Sequence, residues 1–209
     1  MSDVLLIRHG LCDTVGRSIA GRFPGTPLNP TGVRQARGLA ERLKALPIEA
    51  VYSSPQDRTR ETAGPLAELL GLPVRISPGL DELDFGAWTG RTLDALRDDP
   101  EWRRFNTERG STRIPGGETM GEVVARATAE LSRIASEHPE ALVAAVTHGD
   151  VIRALLAAYA GMPLDCMLRL EVAPASVSAV RLGSEPLVLA VNWLTDGIGG
   201  IGPWDLPAR

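Results

Sequence analysis

Cysteine is scarce in this 209-residue chain: Cys12 and Cys166 are the only two, too few for a disulfide framework and at a spacing that matches no zinc motif. Both are expected to be reduced thiols. A basic excess is absent as well, since 22 Lys and Arg face 26 Asp and Glu for a formal net charge of −4, which excludes a general affinity for nucleic acid. No basic stretch followed by an apolar run and cleavage site opens the sequence, and no later run is long enough to span a bilayer. No membrane association is expected, and the location is expected to be cytoplasmic. There is no internal repeat and no interdomain linker. With 44% hydrophobic and 23% charged residues, the composition is that of a globular protein. The length suits a single well-buried α/β domain, assigned here to residues 1–195, with a Gly/Pro-rich tail over 196–209. A homodimer stays open.

Histidine is rare too, with three in the chain, and two of them follow apolar runs. Leu5-Leu6-Ile7 leads into Arg8-His9-Gly10, and Leu142-Val143-Ala144-Ala145-Val146 leads into Thr147-His148-Gly149-Asp150. Each run reads as a buried strand delivering polar groups to its carboxyl end, where open α/β sheets bind ligands. A lone histidine after a strand is ordinarily structural. Two of them, each followed by a glycine that lets backbone approach a ligand closely, favour a functional reading.

The intervening pattern alternates. A loop over residues 11–30 precedes a helix capped by Asn29 or Thr31 and running through Lys44, with Val33, Ala36, Leu39, Ala40 and Leu43 on its apolar face. Ala50-Val51-Tyr52 reads as a strand, and a helix after Ser53-Ser54-Pro55 continues to about Leu70, stopped by Gly71 and Pro73. Residues 74–76 read as a strand, residues 80–108 as irregular with short helical pieces that make the best lid. Thr119 with Glu122 forms a capping box opening a helix that ends near His138-Pro139. A helix over 151–159 and strands over 167–172, 177–181 and 187–191 complete the chain. Strands alternating with helices predict a three-layer α/β/α sandwich around a mostly parallel mixed sheet. The glycines from Gly197 to Gly202 lack a strand-to-helix context and are not read as a phosphate loop; Trp204 is a candidate packing residue of the tail.

Arg58 sits just inside the helix that follows another strand end, so Arg8, His9, Arg58 and His148 can converge. Arginine forks match phosphate oxygens, and helix starts add free amides at the positive end of a dipole. Taken alone Arg58 would be a solvated helix arginine; taken together the four imply a phosphate ligand. Metal readings fare poorly, because neither histidine motif carries a second ligand at a recognised spacing.

Arg8-His9-Gly10, Ser53 to Ala63, Leu80 to Gly90, Pro115-Gly116-Gly117-Glu118-Thr119 and Thr147-His148-Gly149-Asp150 resemble, in order and spacing from Val4 to about Leu182, the histidine phosphatase superfamily, also called phosphoglycerate mutase-like, in its short bacterial phosphatase or probable phosphomutase branch. The resemblance implies that His9 takes a phosphoryl group and that water releases it. It also implies that Arg8, Arg58 and His148, with Gly149, hold the phosphoryl oxygens, and that Glu82 is the general acid and later the base. Only that match selects Glu82 over Asp81 and Asp84. His9 must then be neutral, with its other ring nitrogen held, for instance by a backbone carbonyl. Cationic donors alone can serve phosphoryl transfer, so neither metal nor cofactor is expected.

Leu11, Cys12 and Val15 stand where many relatives have an acidic residue, a hydroxyl residue and an asparagine. Cys12 is read equally as a weak donor at the pocket or as a small buried apolar group. In the segment Gly21-Arg22-Phe23-Pro24-Gly25, beside the pocket, Arg22 either meets a second anionic group or stays solvated. Trp102-Arg103-Arg104-Phe105 either closes over the ligand or ends an ordinary amphipathic helix. The expected substrate is a small phosphomonoester. The alternatives are a 2,3-bisphosphoglycerate-dependent mutase, disfavoured by the short segment after Glu82, and a non-catalytic phospho-ligand or protein-binding module, disfavoured because every reactive residue is present.

Overall fold

The computed structural model describes residues 1–193. Six strands, β1 (Ser2–Arg8), β2 (Ile48–Ser53), β3 (Val74–Ile76), β4 (Leu142–Thr147), β5 (Val177–Leu182) and β6 (Leu187–Trp193), form one sheet in the order β3-β2-β4-β1-β5-β6. Pairing is parallel from β3 through β1 and antiparallel for β5 and β6, so the sheet is mixed as expected. β4 is buried along its whole length and β1 along all but Arg8, which accounts for their unbroken apolar sequences.

Side chains alternate between the two faces with the two-residue period of a strand. Val4, Leu6, Val143 and Ala145 join one core with α5 (Met120–Glu137) and α6 (Gly149–Tyr159). Leu5, Ile7, Ala144 and Val146 join the other, with α1 (Pro30–Leu43) and α2 (Asp57–Leu70). The result is the three-layer α/β/α arrangement. The neighbouring parallel strands β1 and β4 are thus followed by helices on opposite faces. That is the topological switch point at which the carboxyl ends of a sheet leave a crevice.

Local signals decide the helix ends. Asn29 caps α1 by accepting from the Gly32 amide at 2.9 Å, with Pro30 at the first position. Gly71 ends α2 in the left-handed conformation, φ 65°, and Thr119 and Glu122 form the reciprocal capping box of α5.

Three expectations need correction. Residues 167–172 do not form a strand: Leu164–Arg169 is a 3-10 turn, because β5 already occupies the free edge of β1. Met167 is buried there while Leu168 stays 45% exposed, which breaks the alternation a strand would need. Val33 is 37% exposed, and Gly32 takes its place on the buried face of α1, pressed against the Leu11 backbone. The short helices α3 (Leu93–Leu96) and α4 (Pro100–Thr107) are a packed wall rather than a loose lid: Leu96 and Phe105 are fully buried, and Trp88 packs edge-on to Trp102, ring centroids 5.2 Å apart. The expected tail and Trp204 lie outside the described residues.

Candidate active site

Because Arg8 pairs in register with Thr147, the residues that follow, His9 and His148, emerge side by side with ring centroids 5.3 Å apart. His9 Nδ1 donates to the carbonyl of Gly10 at 2.7 Å, so the proton sits on Nδ1 and the lone pair on Nε2, which has no hydrogen-bond partner among the described residues. Burial, then Arg58 and Arg8, hold the imidazole well below its usual pKa and keep it neutral. The Gly10 amide is itself anchored on Thr62 Oγ1 at 2.9 Å. A Cβ at Gly10 would lie 2.8 Å from the Gly32 carbonyl, and one at Gly32 would lie 2.1 Å from the Leu11 carbonyl. Only glycines let the start of α1 clamp the His9 loop this closely.

His148 is completely buried at the amino end of α6. Its Nδ1 accepts from Arg58 Nη2 at 3.2 Å, which leaves Nε2 as donor to Ser54 Oγ at 2.7 Å. Burial and then Arg58 depress its pKa well below the ordinary value. Arg58, 1% exposed, also donates from Nη2 to the Gly21 carbonyl at 2.7 Å, while its buried Nη1 has no partner among the described residues. Arg8 is tied through Nη1 to the Val172 carbonyl at 2.6 Å, and its buried Nε likewise has none among them. Buried guanidinium donors are costly to leave unmade; two of them beside His9 mark a place for an anion.

Glu82 Oε1 accepts from the Leu83 amide at 2.9 Å, and Oε2 lies 3.6 Å from His148 Nδ1. Burial, and then the Asp150 carboxylate, push its pKa up from 4.5 to about 7. Asp81, its rival in the sequence, accepts from Gln56 Nε2 at 2.9 Å and does not line the cavity, and Asp84 Oδ1 accepts from the Gly86 amide. Together Arg8, His9, Arg58, Glu82, Cys12, Gly21 and Gly149 line a cavity of about 310 Å³, with Val15, Ile19, Leu93 and Trp102 on its apolar side. Cys12 is 2% exposed, with Sγ 3.2 Å from Thr14 Oγ1.

Arg22 is placed elsewhere. Its Nε donates to the Glu82 carbonyl at 2.8 Å and its Nη2 to Glu118 Oε2 at 2.9 Å, so it fastens the Glu82 loop and does not line the cavity. Arg126 donates to the same carbonyl at 3.0 Å and to both oxygens of Glu118. The Asp84 amide completes the Glu118 cluster at 3.0 Å. Burial would raise the Glu118 carboxyl, but Arg126 and its other partners hold it below its usual value.

Sequence reasoning missed Glu118 as the clasp of this loop. It also missed Arg109, Asp150 and Arg153, which line the cavity. For Arg153 a signal existed, since it stands one helical turn beyond Gly149 on α6. Arg109 had none: its place depends on the packing of α4. Among the described residues no group of His, Cys, Asp and Glu is arranged to hold a metal ion, and no helix is long and apolar enough to cross a membrane.

Residues 4–193 match the family model described as histidine phosphatase superfamily (branch 1). The chain is 34% identical to a protein of Enterobacter sp. (strain 638) named probable phosphoglycerate mutase GpmB, over 100% of this chain and 97% of that one. Among solved structures, Bacillus stearothermophilus YhfR superposes with a TM-score of 0.85 at 28% identity, covering 91% of this chain and 96% of its own. A mycobacterial glucosyl-3-phosphoglycerate phosphatase gives 0.83 at 30% identity, with 91% and 98% covered.

Proposed function

Because this chain belongs to the histidine phosphatase superfamily, we propose that it hydrolyses a small phosphomonoester through a phosphohistidine on His9, without a metal. The observation that carries this reading is the fixed tautomer of His9. Its Nδ1 proton is spent on the Gly10 carbonyl, and its Nε2 lone pair belongs to a ring lining the cavity that holds the unpaired donors of Arg8 and Arg58.

In the first step Nε2 attacks phosphorus in line with the ester bond, the P–N bond forms, and the ester P–O bond breaks. Glu82, with a carboxyl pKa of about 7, delivers its proton to the departing alkoxide. In the second step the Glu82 carboxylate takes a proton from water, the oxygen attacks phosphorus, and the P–N bond breaks to give free phosphate. Arg8 and Arg58 offset the charge on the phosphoryl oxygens throughout. His148, kept neutral by burial and then by Arg58, holds the Arg58 guanidinium in place through Nδ1. Cys12, Gly21 and Gly149 line the cavity beside them. The chain acts on a soluble small molecule in the cytoplasm.

A mutase that returns the phosphoryl group to a second position of its substrate is the other reading, favoured by the names of relatives such as those of Enterobacter and Cronobacter sakazakii, 34% and 35% identical. One assay tests both. Phosphate release from a panel of phosphomonoesters is measured with chelator present, for wild type and His9→Ala, with 3-phosphoglycerate isomerisation followed in parallel. Release that persists with chelator and falls by at least about 10³-fold in His9→Ala is expected. Isomerisation without release would replace the phosphatase reading with the mutase one; release lost to chelator would refute metal independence.

A further inference from the structure

One part of the cavity wall is not used by the chemistry above. Arg153, on α6, donates from Nε to the Leu170 carbonyl at 2.9 Å, and its Nη1 lies 3.6 Å from Asp150 Oδ1, too far for a hydrogen bond. Asp150 is instead taken by Arg109, whose Nη1 donates to Oδ2 at 3.2 Å and whose guanidinium is stacked 4.5 Å above the Phe105 ring. Arg109 is 5% exposed, and its buried Nε has no partner among the described residues. The carboxylate therefore takes its hydrogen bond from Arg109, and the terminal nitrogens of Arg153 have none among the described residues, only the longer ion pair.

Those nitrogens face the phosphate site. A Cβ at Gly149 would sit 3.2 Å from Arg153 Nη1 and 3.2 Å from Arg8 Nε, so both guanidiniums close on the same glycine. Burial, and next Arg153, depress the Arg8 guanidinium, as two like charges near one another should.

The charges can be counted. Arg8, Arg58, Arg109 and Arg153 face Glu82 and Asp150 across the cavity. When Glu82 carries the proton it must donate, four guanidinium charges less one carboxylate leave three. A phosphomonoester dianion takes two. One positive charge remains, beside Gly149, and it matches a single carboxylate better than a second phosphate dianion.

We propose that Arg153 is a specificity-determining residue, and that the phosphomonoester bound here carries a carboxylate that Arg153 receives while Arg8 and Arg58 hold the phosphoryl group. This rests on the phosphatase reading for the position of the phosphoryl group, but it concerns binding and is tested as binding. The probes are 3-phosphoglycerate and glycerol 3-phosphate, which share a skeleton and differ in a carboxylate against a hydroxymethyl group. Affinities are measured by calorimetry on full-length His9→Ala, which does not turn them over. A charge-assisted contact of this kind predicts binding of 3-phosphoglycerate at least about tenfold tighter than glycerol 3-phosphate.

Adding Arg153→Met should bring the ratio to within about twofold, chiefly by weakening 3-phosphoglycerate. Arg153→Gln, which keeps a donor for the Leu170 carbonyl, should do the same and carries the test if the methionine variant does not fold. Equal affinity for the two probes in the parent, or a ratio that survives removal of the guanidinium, would overturn the proposal. If wild-type enzyme releases phosphate from neither probe while the affinity ratio and its loss are seen, the phosphatase reading fails and the subsite stands.

Discussion

Replacing Glu82 with glutamine separates what this residue does for the reaction from what it costs the fold. The substitution keeps the shape and the acceptor for the Leu83 amide, and removes only the ionisable proton. Because burial and Asp150 raise the carboxyl from 4.5 to about 7, the folded protein binds a proton more tightly than the unfolded chain, and ionising Glu82 opposes folding. At 1.36 kcal/mol per pKa unit, the difference amounts to ~3 kcal/mol at and above pH 8 and vanishes below about pH 4.5. Glu82→Gln should therefore raise stability in urea by up to ~3 kcal/mol at pH 8 and leave it nearly unchanged at pH 4.5.

Activity should move the other way. With an alkyl phosphate, whose leaving group needs a proton, kcat/KM should fall about 10²- to 10⁴-fold; with 4-nitrophenyl phosphate the loss should be no more than about tenfold. In the wild type, phosphorylation of His9 by the alkyl ester should decline as pH rises through about 7, where Glu82 loses its proton, and the glutamine variant should lack that limb. A stability gain independent of pH would refute the raised carboxyl. Equal slowing of good and poor leaving groups would refute the general acid.

Arg58→Lys keeps the charge but not the planar guanidinium whose Nη2 binds the Gly21 carbonyl and His148 while Nη1 stays free for an anion, and should lower kcat/KM about 10- to 100-fold, with the affinity for inorganic phosphate falling in step. An unchanged phosphate affinity would place Arg58 outside the anion site. Glu118→Gln weakens the clasp that Arg22 and Arg126 make across the Glu82 carbonyl. It should cost about 2–3 kcal/mol in denaturant unfolding and reduce kcat more than it raises KM. Gly32→Ala forces a methyl against the Leu11 carbonyl, so a loss of about 1–3 kcal/mol and a weakened His9 site are expected. A neutral result by thermal unfolding would show that the α1 contact is not tight.

What the sequence determined is what depends on neighbours along the chain. The apolar runs before His9 and His148, the Asn29 and Thr119 caps and the Gly71 stop all act within a few residues, and the structure places each of them as read. Arg58 was read from its place after a strand end, whereas only the family resemblance selected Glu82 over its neighbour Asp81. Tertiary structure decided the rest. Whether residues 167–172 form a strand depends on which segment pairs with the edge of β1 in the packed sheet, and β5 holds it. Arg22 was read as meeting a second anion or staying solvated, and Glu118, a carboxylate distant in sequence, takes it instead. The raised carboxyl of Glu82 comes from burial and from Asp150 across the cavity, and the leftover charge of Arg153 from the preference of Asp150 for Arg109. Periodicity and capping are local and can be read along a sequence; desolvation and charge balance depend on residues brought together from distant parts of the chain.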